Sequence, residues 1–174
     1  MTRTRDEAPQ RTRWRLAITL GVAAVVVGIV VGYLAYRVAA DLPGVQFPNQ
    51  GNRHLNSERE PHEPYNSDPP TSGPHLSYIA SWGVHARPIL AELQVHNLED
   101  GGVLVQYNCQ CPELVAKLRA IVERYDKYVI LAPYPSMKSR IALTAWTRLE
   151  TLDGLDEKRI TRFIDTFRGL DHHK

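Results

Sequence analysis

Histidine is the residue type in this chain whose placement most directly points to chemistry. Five of the seven histidines precede the first predicted strand, and His75 has a distinctive setting among them. It ends the stretch NSDPPTSGPH (66–75), which is too rich in proline and glycine to form a helix or a central strand. Because proline rings fix backbone dihedrals, such a loop lowers the entropy cost of holding a ligand in place. The loop therefore predicts a ligand position for the His75 imidazole.

A second histidine, His96, opens the segment HNLEDGG. Glu99 and Asp100 follow it by three and four residues, so one helical turn would place all three side chains on a shared face. Neutral imidazole is a common ligand of borderline metals, and a carboxylate can add an oxygen donor. We therefore expect a copper or zinc site made by His75 and His96, helped by Glu99 or Asp100.

Cys109 and Cys111 lie between a predicted strand and a predicted helix, and three interpretations of them are open. In an oxidising compartment they can form a structural disulfide. As two thiolates one residue apart they could bind a soft cation such as Cu(I) or Zn, with the Met137 thioether as a further partner. A thiol at a helix N-terminus also has its thiolate favoured, as a thioredoxin-like thiol-disulfide protein requires. Met137 by itself is equally compatible with filling a gap in the core.

Positive charge is concentrated at the N-terminus of the chain. The formal net charge is +2, yet residues 1–15 alone hold five arginines against two acids. The remainder is therefore close to neutral. This distribution argues against nucleic-acid binding, which requires a basic face that displaces counterions.

Residues 16–36, LAITLGVAAVVVGIVVGYLAY, carry no charge and are long enough to cross a bilayer as a helix. Cytoplasmic flanks are enriched in Lys and Arg, so we expect the N-terminus inside and the body of the chain outside. A signal peptide cleaved at the small residues 38–40 is the alternative, although its apolar region is typically shorter than this one. We therefore predict a single-pass protein of the cell membrane, anchored in lipid by this helix.

The exported part begins with a long irregular segment, since residues 41–75 contain seven prolines and lack hydrophobic periodicity. Beyond it, apolar patterns predict a β-α-β-β-α order and hence an α+β fold. The predicted elements are strands at 103–107, 128–132 and 141–146, a helix at 112–125, and a helix between an Asp156 cap and Gly169. The predicted division is a cytoplasmic basic tail (1–15), a transmembrane helix (16–36), a linker (37–60) and an extracytoplasmic domain (61–174).

The motifs PPTSGPH, VHNLEDGGVLVQY, LAPYP and ALTAW resemble a bacterial family catalogued as domain of unknown function 3105. The resemblance covers roughly residues 50–170. It implies the same layout of membrane anchor or export signal, proline-rich loop, histidine-glutamate segment and closing amphipathic helix, with recurrent polar positions at His54, His75, His96 and Glu99. Where relatives tend to have His-Asn-Leu-Glu-His-Gly, this chain has Asp100 in place of the second histidine. The aspartate is a harder oxygen donor and has a shorter side chain than histidine.

Four functions remain in view at this point. No nucleophile with an obvious base stands out, so we expect a metal-binding or delivery role before a catalytic one. An enzyme stays open, because a bound metal with a free coordination position can activate water. The alternatives are a thiol-disulfide protein that uses Cys109 and Cys111, and a non-catalytic interaction module that presents its loops to a membrane-protein partner.

Overall fold

The computed structural model describes the backbone of residues 7–173 and the side chains of residues 14–37 and 41–173. Contacts divide the chain into two units, Met1–Leu42 and Pro43–Lys174. The basic tail predicted at 1–15 lies largely outside the described side chains, so its arginines other than Arg15 stay a matter of sequence alone.

The first unit is a single helix in its described part, α1 (Glu7–Ala40). Its Trp14–Arg37 stretch of 24 residues is apolar and long enough to be a membrane span, and a signal sequence near an N-terminus has the same properties. Thr19, the one clearly polar residue of the predicted span, donates its hydroxyl proton to the Arg15 carbonyl. That bond satisfies the hydroxyl within the helix, as an apolar surrounding would require.

The second unit has an α+β fold, as the sequence predicts. Its described elements are β1 (Val45–Gln46), β2 (His54–Leu55), β3 (His75–Leu76), β4 (Gly83–Val84), α2 (Ala91–Glu99), β5 (Val103–Tyr107), α3 (Pro112–Val122), β6 (Val129–Pro133), β7 (Ile141–Ala145), β8 (Arg148–Leu152) and α4 (Glu157–Phe167).

Two sheets organise these strands. The larger is mixed, with strand order β1-β8-β7-β5-β6-β4, and its parallel pairs are β5 with β6 and β4 with β6. The smaller consists of β2 and β3, which pair in parallel with His54 opposite His75. Adjacent strands lie about 4.8 Å apart, and paired residues point to the same face, so this short pairing brings two imidazoles together.

The larger sheet is covered on both faces, because its central strands bury alternate residues on opposite sides. Val103 and Val105 of β5 pack with apolar side chains of α3 and α4, among them Leu118 and Phe163. Leu104 of β5 belongs to a separate cluster that contains the apolar residues of α2. Helix α2 is thus held firmly against one face of the sheet, and this helix carries the candidate site.

The sequence placed five of these eleven elements correctly, and the two-residue strands β1, β2, β3 and β4 were not predicted. Strands β5, β6 and β7 and helices α3 and α4 lie where predicted, with α3 ending at Val122 rather than 125. The Asp156 carboxylate caps α4 by accepting a hydrogen bond from the Arg159 amide at 3.0 Å. Helix α2 is longer than the single predicted turn, and β8 was not predicted. The observed order from α2 onward is therefore α-β-α-β-β-β-α rather than β-α-β-β-α.

Candidate metal centre

The proline-rich loop ahead of β3 is a fixed part of the folded unit. Its last residues, 69–76, are all buried. Hydrogen bonds tie it to three neighbouring segments, from the Gln50 amide to Ser72 Oγ (3.1 Å), from the Tyr65 hydroxyl to the Pro74 carbonyl (2.6 Å), and from the Thr147 amide to the Thr71 carbonyl (2.9 Å). The loop therefore delivers the His75 imidazole to a defined buried position.

Helix α2 delivers the second part of the cluster. His96 and Glu99 lie in its last turn, and both are buried. Between them, the Asn97 side chain exchanges two hydrogen bonds of 2.9 Å with the backbone of Ala80, which fixes the helix against the segment between β3 and β4. Gly101 then leaves the helix with a positive φ of 82°, a conformation that strains residues with a Cβ.

Four side chains converge between the loop and the helix, and we call them the inner group: His54, His75, His96 and Glu99. Each offers one ligand atom, and these atoms all lie within 4.8 Å of one another. The three imidazole rings have centroids 5.0, 5.2 and 5.0 Å apart. A group of donors this close together could hold a single cation.

Backbone carbonyls set the tautomers of two of these histidines. His75 Nδ1 lies 2.7 Å from the Gly73 carbonyl oxygen, and His96 Nδ1 lies 2.7 Å from the Leu76 carbonyl oxygen. A carbonyl only accepts, so each Nδ1 carries the proton and each neutral ring keeps a lone pair on Nε2. Metal-ligating histidines are held in the same way by carbonyls or carboxylates behind them.

The Nε2 atom of His75 faces the Glu99 carboxylate. Its distance to Glu99 Oε2 is 2.9 Å, in a place where both side chains are almost completely buried. Burial lowers the pKa of the His75 imidazole, against the hydrogen bond to Gly73 and the Glu99 charge, which act in the opposite direction. In the neutral form of the ring, Nε2 and the carboxylate present electron pairs to each other. A cation bound by both groups converts this repulsion into attraction.

Glu99 is itself oriented by other residues. Its Oε1 accepts a hydrogen bond from Asn52 Nδ2 at 2.7 Å, which leaves Oε2 directed at the imidazoles. Glu99 Oε2 lies 3.9 Å from His54 Nε2 and 3.5 Å from His173 Nε2. The buried carboxylate is therefore surrounded by nitrogen atoms of three histidines.

A second set of donors, which we call the outer group, consists of His96, Asp100 and His173. Their ligand atoms also lie within 4.8 Å of one another. Asp100 Oδ1 is 3.5 Å from His96 Nε2 and 3.3 Å from His173 Nε2. Asp171 Oδ1 contacts His173 Nδ1 at 2.6 Å, and this hydrogen bond is the main reason why the pKa of His173 is raised.

The C-terminal tail holds His173 in place through its backbone. The Gly169 amide donates to the Gly101 carbonyl at 2.7 Å, and the His172 amide donates to the Glu99 carbonyl at 2.9 Å. The His172 ring also stacks on Trp146, with 5.9 Å between centroids. These contacts bring the tail across the C-terminal end of α2, so His173 reaches the cluster from a third direction.

Residues 58–174 match the family model described as protein of unknown function (DUF3105). The chain belongs to this family. Comparison with curated proteins and with solved structures finds no match. The DUF3105 match confirms the resemblance carried by the TSGPH and HNLEDGG motifs. It includes His75, His96, Glu99 and the tail histidines, whereas His54 precedes it.

The structure brings together most of the site residues predicted for this DUF3105 chain. His75, His96 and Glu99 form the inner group with His54, a position that the family resemblance had implied. Asp100 lies in the outer group, beside rather than within the four-donor cluster. His173 was missed, because its position depends on the docking of the tail and no local pattern marks it.

The structure does not support the interpretation in which the sulfur atoms of Cys109, Cys111 and Met137 help to bind the metal. Cys109 and Cys111 are bonded to each other, and a disulfide sulfur has no thiolate charge to offer an ion. They line a groove of about 630 Å³ with Tyr107, Pro112 and other residues, none of which belongs to either group. Met137 is buried in a small apolar cluster with Ala142 and Leu149, which matches the gap-filling alternative.

Proposed function

We propose that this DUF3105 chain binds one divalent transition-metal ion, zinc or copper, through the inner group. One observation carries the proposal. Two buried imidazoles have their Nδ1 protons committed to carbonyls, and the Nε2 atom of one of them, His75, lies 2.9 Å from the buried Glu99 carboxylate. Burying a neutral imidazole nitrogen against a carboxylate is costly unless a cation, whether a proton or a metal ion, lies between them.

The donor set supports a borderline ion. Imidazole nitrogen suits zinc and copper, and a single carboxylate oxygen is compatible with both. The Cys109–Cys111 disulfide removes the soft thiolates that a Cu(I) site would favour. Zn²⁺ and Cu²⁺ are therefore the ions to test first.

The number of donors supports binding rather than catalysis. A catalytic zinc typically has three protein ligands and keeps one position for water or substrate. Three imidazoles and one carboxylate would fill a tetrahedral shell. We therefore favour a carrier, sensor or delivery protein over a metal-dependent hydrolase.

We propose to test for the ion by direct titration of the full-length protein in detergent. Metal-free protein should take up one equivalent of Zn²⁺ or Cu²⁺ and should melt at a higher temperature when loaded, because an ion that binds only the folded state stabilises it. Measurement of bound metal by elemental analysis, together with thermal unfolding, tests this. A chain that takes up no ion after chelator treatment and reloading would refute the proposal.

We further propose that α1 stays in the membrane, with its N-terminus in the cytoplasm and the metal-binding unit outside. The arginines before the apolar stretch and its length support this orientation. Alkaline phosphatase fused to the C-terminus should be active in a bacterial host, because that enzyme needs the disulfides that form outside the cytoplasm. The fusion should fractionate with membranes at full length. A soluble product that begins near residue 41 would instead show a cleaved signal peptide.

A further inference from the structure

The outer group shares one ligand with the inner group. A second, independent metal site would not share a ligand in this way. His96 belongs to both. Its Nδ1 is committed to the Leu76 carbonyl, so only Nε2 is available to an ion. One Nε2 lone pair cannot bind two ions. The two groups are therefore alternative positions for a single ion, a conclusion that rests on the proposed metal-binding function.

We infer that the outer group is an exchange position, through which one ion passes between solvent and the inner group while His96 remains its ligand. The distances allow this step-by-step transfer. Glu99 Oε2 of the inner group lies 3.5 Å from His173 Nε2 of the outer group. An ion at the outer position can thus acquire an inner ligand before it loses an outer one, so no step requires a bare ion.

Accessibility separates the two groups in the direction that transfer requires. The side chains of His75 and Glu99 are 0% and 1% exposed, whereas those of His173 and Asp100 are 43% and 28% exposed. A chelator or donor molecule can reach the outer ligands directly but not the buried pair. His54 is also exposed, but it belongs to the inner group alone. Loss of His54 should weaken binding of the ion at the inner group, whereas loss of His173 should remove one step of the exchange with solvent.

The tail is organised to hold His173 at this position. Asp171 fixes the His173 ring through Nδ1, which directs Nε2 toward Asp100 and Glu99. The backbone bonds of Gly169 and His172 anchor the tail on either side of its turn. A carboxylate behind a ligand histidine is the usual arrangement for fixing a metal-binding ring.

The test measures how fast the ion leaves. Full-length protein in detergent is loaded with one equivalent of Zn²⁺ and mixed with excess of the coloured chelator pyridylazoresorcinol. We expect His173→Ala to keep one ion per chain at equilibrium and to release it about tenfold more slowly than the unmodified protein, with free imidazole restoring the rate. His54→Ala should release the ion faster. His85→Ala, outside both groups, should behave as the unmodified protein.

Three results would overturn the exchange position. They are an unchanged rate in His173→Ala, a faster release from His173→Ala, and two ions per unmodified chain. A faster release would mean that His173 closes the site rather than relays the ion. If the unmodified protein binds no ion at all, the proposed function fails before the exchange step is reached, so the two failures are distinguishable.

Discussion

Replacement of His75 and His96 together by glutamine is expected to abolish metal binding. Both imidazoles supply buried Nε2 donors, and their loss leaves only His54 and Glu99 in the inner group. Loss of a residue that merely supports a ligand costs about 10–100-fold in affinity, so loss of two ligands should cost about a thousandfold or more. Elemental analysis and competition with a chelator of known affinity would show one ion per chain fall to none.

A matched control is available elsewhere in the same unit. His62 and His85 each have one ring nitrogen 2.7 Å from a backbone carbonyl, at Glu63 and Ser81 respectively. Both lie outside the two groups. The double change of His62 and His85 to glutamine therefore removes two hydrogen-bonded imidazoles without touching the site, and should leave metal binding intact.

Glutamine is chosen because its amide can still donate to the Gly73 and Leu76 carbonyls, which limits the damage to the fold. Circular dichroism and denaturant unfolding of both double variants would verify that each remains folded. Unchanged metal content in a folded variant that lacks His75 and His96 would reject these residues as ligands.

Local sequence patterns correctly predicted the helices and strands whose structure depends mainly on their own residues. Strands β5, β6 and β7 are short apolar runs, and Asp156 caps α4 as its position suggests. Strand β8 was not predicted because Glu150 and Thr151 are adjacent polar residues, which breaks the alternation of a half-buried strand. Glu150 is nevertheless buried, and Arg159 of α4 donates to one of its carboxylate oxygens at 2.7 Å. That pairing depends on tertiary contact and cannot be read locally.

The same distinction applies to the site. His75 was predictable because proline-rich sequence fixes a loop, and His96 and Glu99 because their spacing suits one helical face. The juxtaposition of His54 with His75 depends on the pairing of β2 with β3, which are two residues long and show no periodicity. His173 depends on the tail crossing Gly101, a contact between distant parts of the chain. In both cases the sequence shows the type of side chain, but the position of that side chain depends on contacts between distant parts of the chain.

Replacement of Glu99 by glutamine is expected to change stability and metal binding in opposite directions. If His75 is neutral in the metal-free chain, the glutamine amide can donate to its Nε2, which lies 2.9 Å from a carboxylate oxygen in the unmodified protein. Its carbonyl can still accept from Asn52. One gained hydrogen bond and one removed buried charge should raise the free energy of unfolding by about 1–2 kcal/mol. Affinity for Zn²⁺ should fall about a hundredfold, because the only anionic donor of the inner group is lost.

Denaturant unfolding of the metal-free chain and a Zn²⁺ titration measure the two effects separately. Glu92→Gln is the matched control, since Glu92 lies in the same helix and also pairs with a histidine, His62, at 3.4 Å. That pair is partly exposed and outside the inner group, so its loss should change the free energy of unfolding by less than about 1 kcal/mol and leave metal affinity unaltered.

The sign of the stability change in Glu99→Gln separates a metal site from a structural ion pair. If His75 were an imidazolium paired with Glu99, the substitution would leave a buried unpaired charge and cost about 3–5 kcal/mol. Such a loss would mean that a proton, rather than a metal ion, reconciles the two groups. A gain in stability means that the metal-free chain tolerates an unfavourable contact there. That outcome is what the proposed metal site requires, since an ion bound by both groups would relieve the contact.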